Sequence, residues 1–195
     1  MINQRSSVPG SLPGGLRGAK LVHQLSCRSY AEPVQSVRAA QESDVQDIHR
    51  LIVDLATYER SADQVKTTPE QLRTALFGPQ PAAYALVAEV EGDLVGFALY
   101  FRSFSTWEGL HGFYLEDLYV MPEHRGAGLG KALLSSLAAQ AVERGYARLE
   151  WAVLDWNQPS IEFYRSLGAV AMDEWTVYRL TGESLRRLAG RTPSS

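Results

Sequence analysis

The sequence predicts one α/β domain built on a mixed sheet. Three observations predict it. Apolar residues recur with period 2 in some segments and at 3/4 spacing in others, and the two kinds of segment alternate along the chain. Two apolar runs, 83–90 and 94–101, are joined by the tight turn Glu91-Gly92-Asp93, which is a β-hairpin pattern. A third strand pattern then runs into a glycine-rich turn and an apolar helix. At 195 residues without an internal repeat, the chain is the size of a single globular domain.

Taken in order, Gln35-Ser36-Val37-Arg38-Ala39 reads as a first strand. Ser43-Asp44-Val45-Gln46 has capping-box form and precedes the 3/4 series Val45, Ile48, Leu51, Ile52, Leu55, which predicts a helix over 44–58. Thr68-Pro69-Glu70-Gln71 opens a second helix, with Thr as N-cap and Pro at the first helical position, ending near Gly78-Pro79. After the hairpin, 104–112 reads as a polar loop carrying Trp107, and Phe113–Val120 as a strand closed by Met121-Pro122. The glycine turn 125–131 starts a helix that runs to about Arg144, where Gly145 is a C-cap candidate. A strand over 147–154, a helix from Asn157-Gln158-Pro159-Ser160 to Gly168, a strand over 175–180 and a helical turn at 183–188 complete the expected order.

Charge is unevenly spread. The formal net charge is −3, but Arg5, Arg17, Lys20 and Arg28 lie in residues 1–31 without any acidic residue, which leaves 15 basic and 22 acidic residues, a charge of −7, for 32–195. An acidic body is a poor partner for nucleic acid, whose binding rests on neutralised phosphates, and a better one for a small cationic substrate. No apolar run is long enough to span a bilayer, so no membrane partner is expected. Cys27 is the single cysteine and lies in the basic tail, so the body has no internal disulfide and no cysteine nucleophile. The four histidines lack metal-ligand spacing, and no metal is expected.

Residues 1–33 read as an N-terminal extension. Its Ser, Gly and Arg content, and a possible amphipathic segment at 16–25, fit a transit peptide, a disordered tail or a start set too far upstream. The folded domain is expected over 34–190, with 191–195 a flexible end. Lack of disulfides points to the cytoplasm, or to an organelle such as a mitochondrion or plastid if 1–31 is a targeting peptide.

The glycine turn, Arg125-Gly126-Ala127-Gly128-Leu129-Gly130-Lys131, places free backbone N–H groups at a helix N-terminus, where an anion is stabilised. It lacks the Gly and Ser/Thr of a Walker loop, since those positions are Arg125 and Ala132, and the third Gly of a dinucleotide fingerprint. Arg-x-x-Gly-x-Gly resembles instead the acetyl-CoA pyrophosphate loop of GNAT N-acetyltransferases. Phe113-Tyr114-Leu115-Glu116-Asp117-Leu118-Tyr119-Val120-Met121 before it and Val153–Tyr164 after it resemble the spermidine/spermine and thialysine acetyltransferase branch, over about Val37–Leu188.

The resemblance implies a GNAT fold, a mixed and mostly antiparallel sheet flanked by helices in a single α/β domain, with acetyl-CoA as co-substrate, a small cationic amine as acceptor and a homodimer. It implies that Leu118, Tyr119 and Val120 flank the pantetheine arm, with the Val120 N–H as oxyanion donor, and that Arg125, Gly126, Ala127, Gly128, Leu129, Gly130 and Lys131 hold the pyrophosphate. Asn157 and Ser160 match cofactor contacts, although as bare sequence they pass for helix caps. Tyr164 matches the general acid toward the leaving thiolate. Glu116 is the candidate base, or else a carboxylate that only orients the ammonium. Tyr58, Glu59, Trp107, Glu116, Asp117, Glu150, Trp151, Asp173, Glu174 and Trp175 are the candidate amine contacts, because carboxylates pair with ammonium groups and aromatic faces hold cations. Neighbours on a strand alternate faces, so Glu116 and Asp117 address one substrate nitrogen only if a bulge intervenes. The expected reaction is direct transfer of acetyl to a diamine, polyamine or lysine-like amino acid. Acetylation of a protein lysine or N-terminus, or a silent acetyl-CoA sensor, are the alternative readings.

Overall fold

A computed structural model describes residues 35–190 of the chain. The expectations for 1–33 and 191–195 lie outside the described residues. One five-stranded sheet, in the order β1-β2-β3-β4-β5, organises the domain: β1 (Gln35–Ala39), β2 (Tyr84–Val90), β3 (Asp93–Ser105) and β4 (Leu110–Val120) are antiparallel neighbours, and β5 (Arg148–Trp151) joins β4 in parallel. A parallel partner needs a crossover, and α3 (Leu129–Glu143) supplies it.

Each face of the sheet has its own core. On one, Leu129, Leu133, Leu134 and Leu137 of α3 pack on Leu86, Val95, Ala98, Tyr100, Phe113, Leu115 and Val120. On the other, Val45, Ile48 and Leu51 of α1 (Val45–Tyr58) and Leu72 and Leu76 of α2 (Pro69–Phe77) cover Val87, Phe97, Leu99 and Tyr119. The 3/4 series read for α1 points inward, with Val45, Ile48 and Leu51 buried and Ile52 and Leu55 partly so, whereas Val142 near the end of α3 is exposed. α2 begins as expected: Gln71 N–H donates to Thr68 Oγ1 at 3.2 Å and Thr68 N–H to Gln71 Oε1 at 3.0 Å, a reciprocal cap. Before α1 the cap sits elsewhere than expected. Gln41 N–H donates to Asp44 Oδ2 at 2.7 Å, and the same carboxylate accepts from Arg38 on β1 at 2.6 Å, so Asp44 is buried with a partner.

Four element boundaries differ from the sequence reading. The hairpin between β3 and β4 keeps pairing through Ser103↔Gly112, Phe104↔His111 and Ser105↔Leu110, so only 106–109 is loop. Polarity suggested a loop there, but a ladder needs backbone register and not apolar side chains. β5 stops at Trp151 where a strand to 154 was expected, because its partner β4 continues past Leu115 without it. α4 (Gln158–Ser166) ends in a 6→1 bond from Ala169 N–H to the Tyr164 carbonyl with Gly168 at φ +86°. The expected strand at 175–180 is absent: this stretch pairs with no strand among the described residues, and only α5 (Gly182–Leu188) follows it.

Candidate active site

The site grows from one irregularity in β4. Leu99 of β3 pairs with Asp117 and Tyr100 with Leu115, so Glu116 is an extra residue without a partner on β3, a β-bulge. Before the bulge Phe113 and Leu115 face α3; after it Leu118 and Val120 do, and Tyr119 faces α1. Glu116 and Asp117 therefore share the α1 face, the condition under which both can address one ligand. Glu116 is exposed, Asp117 half-buried.

Burial and the neighbouring charges of Glu116 and Glu59 push the Asp117 carboxyl up to about 6. Glu59, the residue that closes α1, is itself raised by burial. It also acts on Tyr164, whose phenol is pushed up to about 12, mainly by burial and then by the Glu59 charge. The Glu59 charge thus acts on both the Asp117 carboxyl and the Tyr164 phenol, and the Glu116 charge acts on Asp117. Trp151 lies against Tyr164 with ring centroids 5.0 Å apart, so its place is beside the phenol's ring, packed toward the α3 core.

Beyond the bulge, β4 has no partner on its β5 side, since the parallel pairing covers only Gly112–Leu115. The Val120 carbonyl accepts from Arg125 Nε at 2.8 Å, which turns it away from β3, and in a strand the N–H of the same residue points the same way. A strand edge with free donors thus lines the opening between β4 and α4, and Leu118, Tyr119 and Val120 form it.

The turn that follows is built to receive an anion. Gly126 and Gly128 have φ of +81° and +86°, which L side chains rarely adopt, and a Cβ on either would meet nothing within 4 Å. Glycine is required by conformation here, and it leaves open space over the backbone. Among the described residues the N–H groups of Gly126, Ala127, Gly128, Leu129, Gly130 and Lys131 have no acceptor, whereas Ala132 N–H already bonds Gly128. The first turn of α3 carries no acidic residue and no side-chain cap, which leaves its positive end to an outside anion. Arg125 and Lys131 are exposed and make no ion pair among the described residues. Gly130 sits 3.8 Å from Phe163 through its ideal Cβ, so α4 packs directly against this turn.

At the start of α4, Asn157 is buried; its Oδ1 accepts from Ser160 N–H at 3.4 Å and from the Tyr58 hydroxyl at 3.2 Å. Asn157 is the N-cap of α4, and Ser160 supplies the backbone N–H that it caps. Tyr58 lies under Arg125, whose guanidinium carbon is 4.8 Å from the ring centroid.

The remaining candidates do not join this group. Trp107 is 88% exposed at the hairpin tip, with its ring 6.4 Å from Trp175, also exposed, in the segment that holds Asp173 and Glu174. The tip lies six or more strand residues from the bulge, on the order of 20 Å. Glu150 is taken by Arg148 Nε at 2.8 Å. Sequence reasoning missed Arg60 and Trp156, which flank Tyr58 and Glu59; the only signal was their adjacency to residues already singled out.

A strand edge with free donors, a glycine turn at a helix N-terminus and a phenol on the next helix lie around one opening, an arrangement suited to an extended anionic ligand. The chain belongs to the acetyltransferase (GNAT) family, whose profile matches residues 46–169. It is 43% identical over 166 residues to a thialysine N-ε-acetyltransferase of Bos taurus, covering 80% of this chain and 97% of that one. It is 30% identical to an L-ornithine N5-acetyltransferase of Arabidopsis thaliana, covering 78% and 86%. An integron cassette protein from V. cholerae of known structure superposes with a TM-score of 0.68 at 26% identity, covering 80% of this chain and 97% of that one. Among the described residues no helix is long and apolar enough to cross a membrane.

Proposed function

We propose that this acetyltransferase moves acetyl from acetyl-CoA to the primary amine of a small diamine, polyamine or lysine-like amino acid. The observation that carries the reading is the bulge that turns Glu116 and Asp117 to one face, where the Glu59 charge acts on Asp117 and on Tyr164, a concentration of negative charge suited to an alkylammonium. The names of the thialysine and ornithine relatives support the same substrate class.

Bound acetyl-CoA supplies a thioester carbonyl open to nucleophilic attack. The N–H groups of 126–131, with Arg125 and Lys131, would hold its pyrophosphate; Leu118, Tyr119 and Val120 would flank its arm; and the Val120 N–H would polarise the carbonyl. Asn157 and Ser160 would add contacts from the start of α4. The ammonium gives up a proton to the Glu116–Asp117 pair, of which Asp117 is better poised because a proton acceptor works best with a pKa near the working pH. The amine nitrogen then forms the new N–C bond as the C–S bond breaks, and the Tyr164 hydroxyl donates its proton to the departing sulfur. The raised phenol pKa keeps that proton in place at neutral pH.

A homodimer is part of the proposal. Val170, Val177 and Tyr178 are more than four-fifths exposed, with Met172 and Trp175 beside them. This strand-like stretch has no ladder partner among the described residues, and the outer edge of β5 has none either. A second copy offers each to the other, in a closed two-fold arrangement.

The test is release of CoA by purified protein with putrescine, spermidine, ornithine, lysine, thialysine and a lysine peptide. Turnover on the small amines supports the reading. Turnover on the peptide alone favours a protein acetyltransferase, and bound acetyl-CoA without any turnover favours a sensor.

A further inference from the structure

Resting on the acetyl-CoA reading above, we propose that Tyr58 is a positioning residue that couples the cofactor turn to the helix of the general acid, and not a contact for the amine. Its ring lies under the Arg125 guanidinium at 4.8 Å, and Tyr119 adds a second aromatic neighbour at 5.6 Å. With Nε fixed on the Val120 carbonyl at 2.8 Å, Arg125 is held on two sides while its terminal nitrogens have no hydrogen-bond partner among the described residues. That is the posture of a preorganised anion ligand. The Tyr58 hydroxyl donates to Asn157 Oδ1 at 3.2 Å, the oxygen that also caps α4 through Ser160 N–H. One side chain therefore touches both the first residue of the glycine turn and the N-terminus of the helix that carries Tyr164.

The backbone around Tyr58 is correspondingly fixed. α1 ends with Ser61 N–H on the Ala56 carbonyl at 2.8 Å and Arg60 N–H on the Thr57 carbonyl at 3.1 Å, a Schellman closure with Arg60 at φ +60° where glycine is usual. The Arg60 guanidinium lies 5.6 Å from the Trp156 ring centroid, and the Tyr58 ring 6.0 Å from it. Tyr58 and Arg60 thus bracket Glu59 and tie the end of α1 to the loop before α4. The ring face and the hydroxyl proton of Tyr58 are thus both engaged within the protein.

The two engagements separate by mutation. Tyr58→Phe keeps the ring and loses the hydroxyl; CoA affinity, read by calorimetry, is expected to stay within about twofold of wild type while kcat falls about three- to tenfold, the worth of one neutral hydrogen bond. Tyr58→Leu loses both, and its CoA Kd is expected to rise by a further two- to fivefold, the range of an exposed cation–π contact. In an Arg125→Ala background, Tyr58→Leu is expected to leave CoA affinity unchanged, a coupling that general loosening of the fold does not produce. Equal CoA affinity in wild type, Phe and Leu variants, unchanged kcat in Tyr58→Phe, or a raised amine KM with CoA binding intact overturns the proposal. CoA binding needs no amine, so this arm decides the role of Tyr58 even if the amine panel refutes the substrate reading.

Discussion

Glu116 and Asp117 are consecutive strand residues that face the same way, because β3 pairs with Asp117 and with Leu115 but with nothing between them. Adjacent strand positions ordinarily face opposite sides, so the bulge creates a carboxylate pair that a regular ladder would split. The pair has a cost as well as a use: Asp117 is held among like charges and partly out of water.

For activity, Asp117→Asn is expected to lower kcat/KM by more than about tenfold, within the range of general base catalysis. The wild-type pH profile is expected to fall off below about 6, where Asp117 takes up its proton, and the variant to lose that inflection. Stopped assays of CoA release from pH 5 to 9 check it. An unchanged inflection assigns the ionisation elsewhere.

For stability the sign is opposite. The Asp117 pKa is raised from 3.8 to about 6 on folding, so the folded chain keeps this proton after the unfolded chain has released it. Stability therefore falls as pH rises from about 4 to 6, and the ionised carboxylate is a burden above that window. Asp117→Asn is expected to melt higher than wild type at pH 7.5, with the difference shrinking toward pH 4 in thermal scans.

Tyr164→Phe is expected to slow acetyl transfer by more than about tenfold at constant acetyl-CoA affinity. The raised phenol pKa places its ionisation at about 12, so no inflection in an assay between pH 6 and 10 is expected to disappear in this variant. Single-turnover measurements separate the chemical step from product release.

The glycine turn separates conformation from access. Gly128→Ala puts a Cβ at φ +86° in open space, so strain of about 1–2 kcal/mol is expected, with a lower Tm and weaker CoA binding. Gly130→Ala meets only Phe163, at ordinary contact distance, inside a helix, where alanine is favoured by roughly 0.5–1 kcal/mol. Its Tm is expected to hold or rise. Weaker CoA binding in that variant would mark a cofactor phosphate close to the Gly130 backbone; unchanged binding would place it nearer 126–128.

Removing Trp175 and Tyr178 together by alanine is expected to shift the sedimentation coefficient from dimer toward monomer at micromolar concentration. A wild-type protein that sediments as a monomer refutes the homodimer.

Short-range chemistry was legible in the chain. Thr68 and Gln71 form their reciprocal cap, Val45, Ile48 and Leu51 face inward, and the glycine-rich turn opens a helix, because each depends on residues within four positions of one another. Tertiary structure decided what depends on distant partners. Whether Glu116 and Asp117 share a face is a matter of register with a strand some 17 positions away, and the solvation of Asp117 and Tyr164 is set by packing. Tyr58 and Asn157, 99 positions apart, meet only when α1 and α4 converge on the open edge of β4. Residues 175–180 show the converse: a strand pattern in the sequence forms no ladder among the described residues, because a ladder's hydrogen bonds need a second strand in register.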